Sequence, residues 1–180
     1  MNKKDKILTT SLVVFGLLMA VINIYLTTPK VIYEFPVNSL EGIMAKEYIS
    51  LDKRISDDKN GAIKITVEEK TTVELFTIDN PSVENVILIY ESSIKTMVLD
   101  DCAVYLEILC RFPDTEKKKG GEYFGRNIDT ALVGEFDWVK MRTYFSLKKQ
   151  NPPDRIKLNL VIDGAGTVWV DEVKLYKKFR

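Results

Sequence analysis

Trp138-Val-Lys-Met-Arg-Thr-Tyr-Phe-Ser-Leu147, Arg155-Ile-Lys-Leu-Asn-Leu-Val-Ile-Asp163 and Thr167-Val-Trp-Val-Asp-Glu-Val-Lys-Leu-Tyr176 are the three runs whose reading decides the fold. In the first, Val139, Met141, Phe145 and Leu147 share one parity, while Trp138, Lys140, Arg142 and Tyr144 share the other. In the second, Ile156, Leu158, Leu160 and Ile162 stand opposite Lys157, Asn159 and Asp163. A period of two marks a strand with one face in a core. The third run breaks its own parity: Val168 and Val170 agree with each other, but Val173 and Leu175 do not agree with them. One extra residue near Asp171-Glu172 returns all four to the core, so a β-bulge is expected there. Asn151-Pro-Pro-Asp154 and Gly164-Ala-Gly166 separate the runs with residues suited to turns.

Upstream, the same period continues. Val31 to Phe35 reads as a first strand, and a short strand is expected near Tyr48 to Leu51. Asp57-Asp-Lys-Asn-Gly61 is a turn that launches Ala62 to Glu69, and Thr71 to Ile78 follows. Asn85 to Glu91 carries Val86, Ile87, Leu88, Ile89 and Tyr90 in succession, apolar on both faces, as in a central strand or one that lines a groove. Cys102 to Phe112 alternates again, and the polar Pro113 to Gly125 reads as a long solvated loop. Outside the amino terminus no long stretch has the 3.6-residue apolar period. The expected architecture is all-β, with eight or nine strands in a sandwich of two antiparallel sheets.

The first thirty residues differ in kind. Ile7 to Leu26 contains no charged residue, and as a helix would be about 30 Å long, the thickness of a bilayer's hydrocarbon core. Lys3, Lys4 and Lys6 precede it and favour a cytoplasmic amino terminus. The apolar run exceeds a signal peptide's core, and Ala20-Val-Ile-Asn23 is a poor cleavage context. The expected organisation is a cytoplasmic tail (1–6), a transmembrane anchor (7–27) and one extracytoplasmic domain (31–178), periplasmic or extracellular, in a single-pass membrane protein.

Composition narrows the chemistry. The 180 residues hold 26 Lys and Arg against 26 Asp and Glu, a neutral balance that argues against nucleic acid. Histidine is absent, which removes the histidine-based nucleophile systems and the zinc sites that need imidazole. Carboxylates such as Asp100, Asp101 and Asp163 lie in turn-like contexts, where Asp is common for backbone reasons, so an enzyme is not expected. Cys102 and Cys110 in one extended strand would sit about 26 Å apart, far beyond disulfide reach, and are read as free core thiols.

Asp137-Trp138 before a strand, the Pro-containing turn, and Gly166-Thr-Val-Trp-Val-Asp-Glu-Val173 together resemble the jelly-roll β-sandwich of carbohydrate-binding modules, the galactose-binding-like fold, over roughly residues 31 to 178. The resemblance implies a structural calcium held by Asp171, with Glu34 as the nearest match to the first-strand acid, although Tyr33-Glu34-Phe35 departs from the family's first-strand pattern. It also implies sugar binding on a concave sheet or at loop tips, through aromatic faces and orienting polar groups. Tyr90, Tyr105, Arg142 and Tyr144, read as opposite the core, and Tyr123, Phe124 and Arg126 from the long loop are the ligand-binding candidates. Trp138 and Trp169 sit in the structural pattern and are assigned to packing. Two functions remain: an anchored accessory subunit that docks an envelope protein, and an anchored carbohydrate-binding module. A chain made only of an anchor and one small domain puts the docking subunit slightly ahead.

Overall fold

A computed structural model describes residues 15–19, 27–58, 60–98, 101–116 and 119–180. The apolar run at 7–26 lies outside the described residues except for the helical 15–19, and among the described residues no helix is long and apolar enough to cross a membrane. The described chain forms eleven strands: β1 (Lys30–Phe35), β2 (Ile49–Asp52), β3 (Ala62–Val67), β4 (Thr71–Asp79), β5 (Val86–Val98), β6 (Ala103–Phe112), β7 (Gly121–Arg126), β8 (Leu132–Val133), β9 (Phe136–Ser146), β10 (Arg155–Asp163) and β11 (Gly166–Phe179). They make two antiparallel sheets. One runs β2-β3-β11-β5-β9, with β1 beside the far half of β11; the other runs β4-β10-β6-β7, with β8 on β6.

The core lies between them. Ile156, Leu158, Leu160 and Ile162 of β10 and Val104, Leu106, Ile108 and Cys110 of β6 pack against Val168, Val170, Val173 and Leu175 of β11 and Leu88, Tyr90 and Ile94 of β5. The bulge on β11 is present. Asp171 pairs with Ser93 and Lys174 with Glu91, so two residues of β11 oppose Ser92 alone, and Glu172 takes a left-handed φ of 50°. All four valine and leucine side chains therefore reach the core.

Three expectations change. Strand β5 does not stop at Glu91 but continues to Val98, because Ser92 and Ser93 find partners: Ser92 Oγ donates to the Asp171 carbonyl at 2.7 Å and Ser93 Oγ to Asp57 at 2.8 Å. The stretch Pro113 to Gly125 is not all loop; its last residues form β7, an edge strand whose polar side faces solvent and so hides the apolar period. Tyr90 is not on an outer face. It faces the core between the sheets, fully buried opposite Leu175, its hydroxyl without a partner and its acidity suppressed by burial. Both cysteines are free and buried.

Candidate functional site

Because side chains alternate along a strand, the five-stranded sheet presents a second face away from the core. Strand register sets this face out in rows. Thr72, Val161 and Tyr105 form one; Glu74, Asn159, Glu107 and Arg126 form the next; Thr77, Lys157, Leu109 and Phe124 form a third. Of the sequence-expected residues, Tyr105, Phe124 and Arg126 are brought together here.

The second row holds a chain of polar contacts. Glu107 is only 2% exposed, and a buried carboxylate needs partners. The Arg126 guanidinium donates to its Oε2, and Asn159 Nδ2 donates to its Oε1 at 2.9 Å. Asn159 Oδ1 is buried with no partner at all. A carboxylate has roughly four acceptor positions, of which two are filled here, so Glu107 and Asn159 keep acceptor capacity for a hydroxyl donor. Arg126 also lies 4.5 Å from the Phe124 ring centroid, stacked on a ring that is 48% exposed. Across the sheet, Lys157 Nζ donates to Glu74 at 2.6 Å and Thr77 Oγ1 at 2.5 Å. Burial pushes against ionisation of Glu74, but these two donors outweigh it and hold its carboxyl below the ordinary value. Exposed ring, fixed cation and unfilled acceptors together suit a flat ligand rich in hydroxyls.

The remaining candidates lie elsewhere. Arg142 and Tyr144 are on the outer face of the six-stranded sheet, where Arg142 grips the buried Glu91 and Tyr176 Oη donates to that same carboxylate at 3.0 Å. Tyr123 sits on β7 opposite Cys110, on the inward side at the sandwich rim, edge-on to Phe112 with centroids 5.7 Å apart. Trp169 is 5% exposed and its Nε1 donates to Asp52 at 3.1 Å, a packing role. Glu107 and Asn159 were missed by sequence reasoning. The signal was there in Ala103-Val-Tyr-Leu-Glu-Ile-Leu-Cys110: a lone charge in an apolar strand must be paired from a neighbour.

The Glu34 and Asp171 pair does not fit a calcium ion. Asp171 Oδ2 accepts from the backbone N–H of Asp57 at 2.8 Å, that of Asp58 at 3.3 Å and Ser56 Oγ at 3.3 Å, while Oδ1 accepts from Glu172 N at 2.8 Å. Positive N–H ends converge where a cation would have to sit. Glu34 is occupied by Lys174 Nζ at 3.2 Å, which also lies 3.7 Å from Glu172, and Lys140 pairs with Glu172 at 2.9 Å. Two ammonium groups supply the positive charge here. Among the described residues no cluster of three or more acidic or thiol groups is placed to hold a metal.

No protein-family model matches the chain, and no curated protein matches it. Solved structures do. A CBM22-1 xylan-binding domain from Paenibacillus barcinonensis superposes with a TM-score of 0.61 at 12% identity, covering 86% of this chain and 98% of that one. A xylan-binding domain of the CBM22 family gives 0.55 at 13% identity over 81% and 93%, and a family 16 carbohydrate-binding module gives 0.55 at 12% over 77% and 92%. These neighbours are described as carbohydrate-binding or xylan-binding modules. The fold of this chain is the β-sandwich of carbohydrate-binding modules.

Proposed function

We propose that the sandwich binds a glycan on the outer face of its five-stranded sheet. Phe124 offers an apolar ring to sugar C–H groups, and Glu107, Asn159 and Arg126 orient hydroxyls beside it. The single observation that carries this reading is the orphaned, buried Asn159 Oδ1 in the row that holds Glu107 and Arg126. An acceptor removed from water without a donor is costly, and a ligand hydroxyl would satisfy it. Two of the structural neighbours are described as xylan-binding, which makes a linear polysaccharide of the xylan kind the ligand class to propose. The run at 7–26 would hold the module at a membrane, outside the cytoplasm.

The docking subunit, put slightly ahead by the expected anchor-and-one-domain organisation, has no support among the structural neighbours, which back the sugar reading better. The test is calorimetric titration of the full-length chain, purified in detergent, with xylohexaose. Saturable binding that disappears in Phe124→Ala at unchanged melting temperature is the expected result. A wild-type chain that gives no heat with xylohexaose overturns the proposal.

A further inference from the structure

Tyr48 stands immediately before β2 with a φ of 64°, a left-handed conformation that is an outlier for a bulky side chain. It is also 59% exposed, so no burial of its ring compensates for the strain. Its carbonyl accepts from Thr66 N at 3.0 Å, which fixes the backbone in place. The residues just before it run along the open edge of β4, where Met44 N donates to the Leu75 carbonyl and Ala45 N to the Glu74 carbonyl, both at 3.0 Å. Between this segment and β4 lies an open groove of about 480 Å³ lined by Met44, Ala45, Tyr48, Thr72 and Glu74 among others.

Two of those residues tie the groove to the proposed glycan face. Thr72 ends the row that contains Tyr105, and Glu74 ends the row that contains Asn159, Glu107 and Arg126. From β7 to β4 the face spans three inter-strand spacings, about 14 Å, and the groove continues it past the sheet edge. An aromatic ring held in solvent by a strained backbone, at the end of a row of hydrogen-bonding groups, has no evident packing role. Strain of this kind persists where function holds it.

We infer that Tyr48 is a second stacking platform, which takes the end of a linear glycan chain that crosses from Phe124 over β6, β10 and β4. The inference rests on the sugar-binding reading and adds a direction and a minimum length to it. Only a chain long enough to leave the sheet edge reaches Tyr48, so a hexasaccharide engages it and a trisaccharide centred on Phe124 does not.

The experiment compares xylohexaose with xylotriose on the full-length wild type, Tyr48→Gly and Tyr48→Phe. Glycine adopts the left-handed backbone at no steric cost, so Tyr48→Gly removes the ring without unfolding the turn. The expected result is an about tenfold weaker affinity for xylohexaose, xylotriose within about twofold of wild type, and a melting temperature equal or higher. Tyr48→Phe keeps the ring and the affinity. Equal xylohexaose affinity in Tyr48→Gly overturns the inference while leaving the sugar-binding reading intact. So does a parallel loss of both sugars. A wild-type chain that binds neither sugar removes the reading and this inference together.

Discussion

Asn159 shows how much one atom can say. Its Nδ2 is engaged by Glu107 and its Oδ1 by nothing, although the side chain is buried on the sheet's outer side. If the orphan is there for a ligand, Asn159→Leu should abolish xylohexaose binding, and it should also cost about 1–3 kcal/mol of stability, since it strips the Nδ2 donor from the buried Glu107 carboxylate. A melting temperature lowered with binding intact would place Asn159 in the fold instead. Asp171 makes the opposite case, a carboxylate whose acceptors are filled by Ser56, Asp57, Asp58 and Glu172. Asp171→Ala should destabilise by about 1–3 kcal/mol, because it leaves the part-buried N–H groups of Asp57, Asp58 and Glu172 without their acceptor. Melting followed with calcium and with EDTA should give the same midpoint; a midpoint raised by calcium would show that the loop rearranges around a metal. Glu74 gives the pH dependence. Its carboxyl lies below the ordinary 4.5, so its contribution is complete above that value and is lost as pH falls through the lowered one. The melting difference between wild type and Glu74→Gln should therefore shrink as pH drops below about 4.5, and a difference that persists unchanged in acid would remove Glu74 from the ledger.

At the scale of elements, the edges decide most. Strand β7 closes the sandwich against β9: a Cβ on Gly125 would meet the Tyr144 carbonyl at 2.3 Å, and Thr143 Oγ1 donates to the Gly125 carbonyl at 3.3 Å. Gly125→Ala must push the two sheet edges apart, which should cost about 1–3 kcal/mol in chemical denaturation and loosen Phe124 and Arg126 on the same strand. A variant as stable as wild type would mean that the edges are not held this closely. The elements also show what could be read in advance. Strands β3 and β10 were legible because polar residues largely alternate with core-facing ones, β6 because Val104, Leu106, Ile108 and Cys110 share one parity although both its faces are buried, and the β11 bulge because Val168 and Val173 disagree in parity. Strand β7 was not, since Gly121-Glu-Tyr-Phe-Gly-Arg126 is an edge strand with little to bury. Tyr90 was misplaced for a related reason. A strand with apolar residues on both faces carries no parity signal, and only pairing with Leu175 shows which way it turns.

For the molecule as a whole, the two sheets each bear a buried glutamate on the outer face, gripped by an arginine: Glu107 by Arg126 and Glu91 by Arg142. Sequence parity assigned Arg142 to an outer surface and Arg126 was read as part of the long loop, so nothing in the sequence said that the two lie on opposite sides of the sandwich. The candidate set therefore merged two faces into one, and only register separates them. The thiols report on the global fold. Burial pushes the Cys110 thiol up to about 12 and raises that of Cys102 as well. Maleimide should therefore label neither cysteine in the native state and both after denaturation; rapid native labelling would mean that β6 does not sit at the centre of its sheet.

Which face carries the ligand is tested most directly by amide chemical-shift mapping of the full-length chain in detergent, titrated with xylohexaose. Shifts confined to the outward residues of β4, β10, β6 and β7, with Asn159, Glu107 and Phe124 among the largest and Arg142 unmoved, are the result expected. Shifts centred on Arg142 and Tyr144, or none at saturating sugar, would contradict it.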